Sequence, residues 1–149
     1  MQKLTTLILL MSASVAVHAV DLSVNNAYIR TMPPGQTTTV GFLSVTNNSL
    51  NHCRLLSGTS SISPRIEFHE HQHAQGMMKM RKVDSVVVAA GQTVTFSPGA
   101  LHIMLFEIDK TLNVGDTTQM EIASDQCGAV SFTAETRSLI QKPMTGMHH

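Results

Sequence analysis

Short segments rich in Val, Ile, Thr and Phe, separated by turn-forming residues, recur along nearly the whole chain after residue 21. The turn signals include Pro-Pro-Gly at 33–35, Asn-Asn-Ser at 47–49 and Ser-Pro-Gly at 97–99. No stretch of ten or more residues shows the hydrophobic period of a helix. Many short strands with regular turns are typical of a sandwich or barrel, so we predict one all-β domain with Greek-key connections. The predicted strands span residues 22–30, 38–46, 53–57, 65–71, 78–82, 85–88, 93–96, 101–106, 117–123 and 129–135.

The first 19 residues have the features of a secretory signal peptide. Lys3 supplies a positive charge, residues 7–11 are continuously apolar, and Val17-His18-Ala19 resembles a small-x-Ala cleavage site. The apolar stretch is shorter than the roughly 20 residues that a membrane-spanning helix needs, and no other segment comes close. We therefore predict cleavage after Ala19 and export to the periplasm without membrane insertion.

Composition and motifs limit the classes of function. Ten basic residues balance ten acidic residues, so no basic patch indicates nucleic-acid binding. No nucleophile motif, phosphate-binding loop or pair of catalytic carboxylates is visible, so we predict a protein that is not an enzyme and expect a monomer.

Residues 20–140 form the predicted β-sandwich domain. Residues 141–149 lack strand periodicity and are predicted to be a flexible tail, rich in Met and His.

Two cysteines, Cys53 and Cys127, lie in the predicted exported part. An oxidising compartment favours a disulfide between them, and their spacing is not that of a redox motif. We predict that they pair. Free buried thiols or a role in metal handling are the alternatives, since pairing depends on geometry.

Histidine and methionine are concentrated in three parts of the exported chain, residues 69–80, 102–104 and 144–149. A single Met in a strand is usually core filler, and a single His on a half-exposed strand is usually solvated or hydrogen-bonded. Core methionines would be expected to scatter over many strands, so the clustering favours a metal site. Thioether sulfur combined with imidazole nitrogen suits Cu(I) better than zinc, calcium or magnesium.

Strand alternation indicates how the first cluster is arranged. Ile66 and Phe68 fit positions that face the core. His69 and His71 then share the opposite face with Glu67.

A loop over residues 72–76 would let the next strand return beside the first and bring Met80 near His69. His102 and Met104 are two residues apart, so in a strand they share one face at a separation of about 6.6 Å. If that strand lies beside the hairpin, all four side chains can converge on one ion.

The four side chains have the spacing His69-x10-Met80-x21-His102-x-Met104, which resembles the full motif of the periplasmic copper chaperones of the PCu(A)C type. The resemblance implies a cupredoxin-like Greek-key β-sandwich that makes residues 20–140 a copper-binding domain with these four ligands for Cu(I). It also implies delivery to the copper A centre of cytochrome c oxidase, directly or through another copper chaperone. The resemblance extends over residues 22–135 and includes residues 27–30, 33–35, 41–47, 67–70, 78–81, 83–84 and 97–102.

One position departs from the resemblance, because His71 stands where the family often has Met. Imidazole suits Cu(II) better than thioether does. We therefore expect His71, His73 and the tail residues Met144 to His149 to form a second, Cu(II)-preferring site.

Three other functions remain open at this stage. A copper-sequestering or resistance protein without a dedicated acceptor could have an identical site. A blue-copper electron carrier needs a Cys thiolate near His and Met, but no His or Met follows Cys127 until Met144. A sandwich for adhesion without metal is disfavoured by the clustering of ligands.

Overall fold

In the computed structural model, which describes residues 21–138, the chain forms ten β-strands and no helix. This confirms the predicted all-β class. The predicted signal peptide (1–19) and tail (141–149) lie outside the described residues. The strands are β1 (Leu22–Arg30), β2 (Thr39–Asn47), β3 (Cys53–Ser60), β4 (Arg65–Ala74), β5 (Met77–Val83), β6 (Val86–Val88), β7 (Thr93–Phe96), β8 (His102–Phe106), β9 (Thr117–Asp125) and β10 (Gly128–Arg137).

The strands are connected in the order β5-β4-β8-β2-β1-β10-β9-β3-β6, and β7 pairs with β2. The pairing of β1 with β10 is parallel, and the other described pairings are antiparallel. Because β1 pairs with both β2 and β10, it links one half of the sheet (β5, β4, β8 and β2) to the other half (β10, β9, β3 and β6).

One hydrophobic core is shared by both halves of the sheet, so the sheet folds over on itself as a sandwich. In β8, Ile103 and Leu105 are buried in this core, so the alternation of a strand directs His102 and Met104 to the other face. Phe68 is buried in the core from β4, as predicted. Other members of the core are Ile29, Val45, Leu55, Phe96 and Ile122.

The loop predicted over residues 72–76 is wrong. β4 continues to Ala74 and β5 begins at Met77, so only Gln75 and Gly76 form the turn. Their φ angles are 54° and 76°, and positive values at both central positions are what a type I′ hairpin turn requires. Gly adopts this conformation readily, whereas Gln does so rarely. Only one of the two turn residues is therefore of a type that predicts this turn. The strand ends lie within two residues of the predicted ones, except that β3 and β4 each extend three residues further.

A disulfide joins Cys53 to Cys127, with their Cα atoms 5.7 Å apart, and this confirms the predicted pairing. It ties the start of β3 to the turn between β9 and β10. Closing a loop of this length stabilises a fold by about 4 kcal/mol in the chain-entropy model. Because both sulfur atoms are in the disulfide, neither is available as the thiolate that the blue-copper alternative needs.

Between residues 21 and 138 the chain contains no helix with the length and hydrophobicity needed to cross a membrane.

Candidate metal site

One face of the four neighbouring strands β5, β4, β8 and β2 carries the predicted ligands. Residues directly opposite each other in antiparallel strands share a face. The register places His69 opposite His102, and His71 opposite Met80. Met104 lies two residues along β8 from His102 and therefore shares its face. All four predicted ligands and His71 thus lie on the same face.

His102 is the most buried of these side chains, with only 2 % of its surface exposed. Its Nδ1 donates a hydrogen bond to the backbone oxygen of Ala100 at 2.8 Å, which fixes the tautomer and leaves a lone pair on Nε2. Nε2 is buried and has no hydrogen-bond partner. Burial lowers the pKa of His102 below its ordinary value, and the nearby His71 and His69 lower it further, while the bond to Ala100 opposes the change. The ring is therefore held neutral, which is the state that binds a metal.

His69 is oriented in a similar way by a carboxylate. Its Nε2 donates to Glu67 Oε2 at 2.9 Å, so the lone pair is on Nδ1, which is buried without a partner. The hydrogen bond from His69 is the main cause that lowers the pKa of Glu67, and the cations of Lys82 and Arg65 lower it further. A carboxylate that holds the far nitrogen of a histidine is a common arrangement behind metal ligands.

His71 and Met80 line a cavity of about 330 Å³ together with His102. The centroids of the His71 and His102 rings are 5.1 Å apart, whereas those of His69 and His102 are 6.1 Å apart. Phe42 and Pro98 line the same cavity and add apolar surface beside the ligands. Half of the Met80 surface (50 %) is exposed, so this side chain lies at the boundary with solvent.

Met104 is half-buried and lies opposite Glu67 on β4 and Val40 on β2. Neither Met104 nor His69 lines the cavity. The structure therefore brings the four predicted ligands onto one face. Of the His and Met side chains on that face, His71, Met80 and His102 line the cavity.

Within the described residues, no three His, Cys, Asp or Glu side chains are grouped so that they could hold a metal ion without methionine. A larger cavity of about 410 Å³ lies between the loop after β1 and the loop after β8, and it is lined by none of the predicted ligands.

The sequence reasoning missed two features of this face. It did not place His71 opposite Met80, although alternation already placed His71 and His69 together. Recognising Gln75 and Gly76 as the turn would have placed His71 opposite Met80. It also gave no role to Glu67, whose position two residues before His69 on the same face was the available signal.

A family model described as "Putative lipoprotein LpqE-like" matches residues 22–136, and the chain belongs to this LpqE-like family. A curated relative, the uncharacterized protein RP573 of Rickettsia prowazekii (strain Madrid E), is 33 % identical over 85 residues. That match covers 56 % of this chain and 47 % of the relative, so the chain spans about half of that protein's length.

Solved structures show which fold this is. The copper-bound PCuAC domain from PmoF2 has a TM-score of 0.67 and 22 % identity, and the match covers 81 % of this chain and 97 % of that domain. The Cu(I) form of DR1885 from Deinococcus radiodurans has a TM-score of 0.66 and 22 % identity, and 84 % of each chain is covered. The fold is thus that of the PCuAC domains, and the expected cupredoxin-like architecture is confirmed.

Proposed function

We propose that this protein binds Cu(I) as cargo on the face of β4, β5 and β8 and passes it to an acceptor protein. One observation carries the proposal: the buried Nε2 of His102 has no hydrogen-bond partner and holds a lone pair, and the His102 side chain lines the same cavity as Met80. Leaving a buried polar atom unsatisfied costs free energy, and a bound metal would remove that cost.

The donors on this face fit Cu(I). They combine imidazoles, two of which have a buried ring nitrogen without a hydrogen-bond partner, with thioethers. Soft thioether ligands select Cu(I) and carry no proton that must be lost on binding. We propose His69, Met80, His102 and Met104 as the ligands, with His71 as a further donor beside Met80. Two solved structures with this fold, the PmoF2 domain and DR1885, are copper-bound or Cu(I) forms, which supports copper as the cargo.

Exposure of Met80 supports transfer rather than permanent storage. A ligand at the solvent boundary can be replaced by a ligand of a partner, whereas His102 is too buried to be reached first. Thioethers also remain usable in an oxidising compartment, where exposed thiols tend to be oxidised. The acceptor we propose is the copper A centre of cytochrome c oxidase, reached directly or through another copper chaperone.

We place the protein in the periplasm as a monomer, after cleavage at Ala19. The role is binding and transfer rather than catalysis. The second, Cu(II)-preferring site expected at His71, His73 and the tail is not tested, since the tail lies outside the described residues. The register of β4 and β5 supports Cu(I) rather than Cu(II) for the two histidines, because it places each of them opposite a methionine.

The test is X-ray absorption of the Cu(I)-loaded mature protein. We expect one Cu(I) per chain with sulfur and nitrogen neighbours, and a loss of sulfur scattering in Met80→Ala and in Met104→Ala. Met77→Ala is the matched control, because Met77 is on the same strand as Met80, is also exposed and points to the opposite face. Unchanged sulfur scattering in both ligand variants would refute the site. A transfer assay with a copper A domain then separates a chaperone from a sequestering protein, which would retain its copper.

A further inference from the structure

The β4–β5 hairpin carries a second pair of His and Met side chains beyond the cavity. The register places His73 opposite Met78, just as it places His71 opposite Met80. Strand alternation puts both pairs on the same face. Side chains directly opposite in an antiparallel pair have Cβ atoms about 5 Å apart, which is close enough for both to bind one ion.

The outer pair differs from the inner one in its neighbours and in the exposure of its histidine, whereas the two methionines are exposed to a similar extent. Met78 is 52 % exposed and His73 is exposed, next to the Gln75-Gly76 turn, whereas the inner pair is adjacent to the buried His102. Large apolar side chains that are exposed together mark surfaces that bind something. No hydrophobic contact in the core accounts for Met78, because it is not among the residues packed against the core.

From this arrangement we infer that His73 and Met78 form a transient Cu(I)-capture site that passes the ion inward to His71, Met80 and His102. The inference rests on the proposed function and adds the route by which copper reaches the main site. The two pairs are two residues apart along the strands, about 7 Å, so the transfer is between neighbouring ligand pairs.

The chemistry of the outer pair favours Cu(I) over Cu(II). Each imidazole on this part of the hairpin faces a thioether across the strands, rather than a second imidazole. Soft thioether ligands select Cu(I). Two ligands at a solvent-exposed position bind weakly, as a site that must release its ion requires.

The same hairpin supplies a close control. Met77 is adjacent to Met78 and is 57 % exposed, but it lies opposite Ala74 on the other face. Met77→Ala and Met78→Ala therefore remove the same group at similar exposure, and only Met78→Ala removes a partner of His73. Neither change disturbs the core, so both variants should fold.

The experiment follows the methionine methyl signals by NMR while Cu(I), buffered by a competing chelator, is added to the mature protein. We expect Met80 to respond to the first equivalent, Met78 to respond to the second, and Met77 to respond to neither. In rapid mixing, Met78→Ala and His73→Ala should load the main site about tenfold more slowly, with unchanged final occupancy, while Met77→Ala loads like the parent protein.

Two outcomes would overturn the inference while leaving the main site intact. One is equal responses of the Met77 and Met78 methyl groups. The other is equal loading rates of Met77→Ala and Met78→Ala while Met80 still responds to the first equivalent. If instead neither Met80 nor Met104 responds at any copper concentration, the proposed function itself fails.

Discussion

Strands β8 and β5 both contribute side chains to the face that carries the proposed ligands, yet they differ in burial and in their position in the sheet. β8 lies between β4 and β2, and it buries Ile103 and Leu105 in the core and His102 beneath the cavity. β5 is an edge strand that pairs only with β4, and every residue from Met77 to Lys82 is exposed. Three of its side chains are cationic, which protects an edge strand from pairing with other chains.

The difference separates two tasks. The buried strand fixes the position and tautomer of one imidazole through the Ala100 carbonyl, so this proposed ligand would be preorganised before metal arrives. The edge strand presents thioethers to solvent, where an ion or an acceptor ligand can reach them. A carrier needs both, because rigid ligands alone would release copper slowly and exposed ligands alone would bind it weakly.

The largest effect should come from a core substitution in β8. Ile103→Ala should lower the free energy of unfolding by about 3 kcal/mol, since it leaves a cavity in a fully packed position. Met80→Ala on β5 should change the free energy by less than about 0.5 kcal/mol, because its side chain is half exposed. Urea unfolding of both variants in the metal-free state measures the contrast.

Cu(I) affinity should show the reverse order in the same two variants. Met80→Ala should weaken binding, while Ile103→Ala should keep the parent affinity wherever it remains folded. Equal losses of stability in the two variants would show that β5 belongs to the stable framework and would remove the division between the strands.

A smaller effect, on Cu(I) affinity, is expected from a substitution in β4, which pairs with both β5 and β8. Glu67→Ala removes the carboxylate that orients His69, and loss of such a partner weakens metal binding by about tenfold or more. Glu70→Ala is the control, because Glu70 has the same charge on the same strand but pairs with Arg81 on the other face. Competition for Cu(I) with a chelator compares the two variants. If both lose affinity equally, charge rather than the orientation of His69 is responsible.

Much of the fold followed from the sequence because its signals are local. Alternation of apolar residues and clear turn residues located all ten strands and the core face of β4. The same alternation located the ligands on β8, where Ile103 and Leu105 leave only one face for His102. Resemblance in spacing supplied the sandwich architecture, which alternation alone could not distinguish from a barrel.

The prediction that was wrong, the loop over residues 72–76, concerns the register of β4 and β5 rather than the alternation within each strand. A turn of two residues instead of five changes which side chains lie opposite each other, so the sequence did not show that His71 lies opposite Met80. Gln75 adopts a conformation that its residue type rarely adopts, so only Gly76 had the preference that is typical of this short turn. The free ring nitrogens of His69 and His102 also depend on contacts that only the folded chain makes.

The smallest expected difference between β8 and β5 is a pH dependence of the free energy of unfolding, which arises from His102 on the buried strand β8. Burial lowers the pKa of His102 in the folded protein below its unfolded value of about 6.5. The unfolded chain therefore binds this proton more readily, so the free energy of unfolding should be highest above pH 6.5 and should decrease as the pH falls below it. Urea unfolding across this range measures the slope, and NMR of the metal-free protein follows the His102 ring directly. The slope should be reduced in His102→Gln and retained in His73→Gln, because His73 is on the exposed hairpin. A His102 ring that titrates above pH 6.5 in the folded protein would contradict the burial argument and the preorganised neutral ligand that it supports.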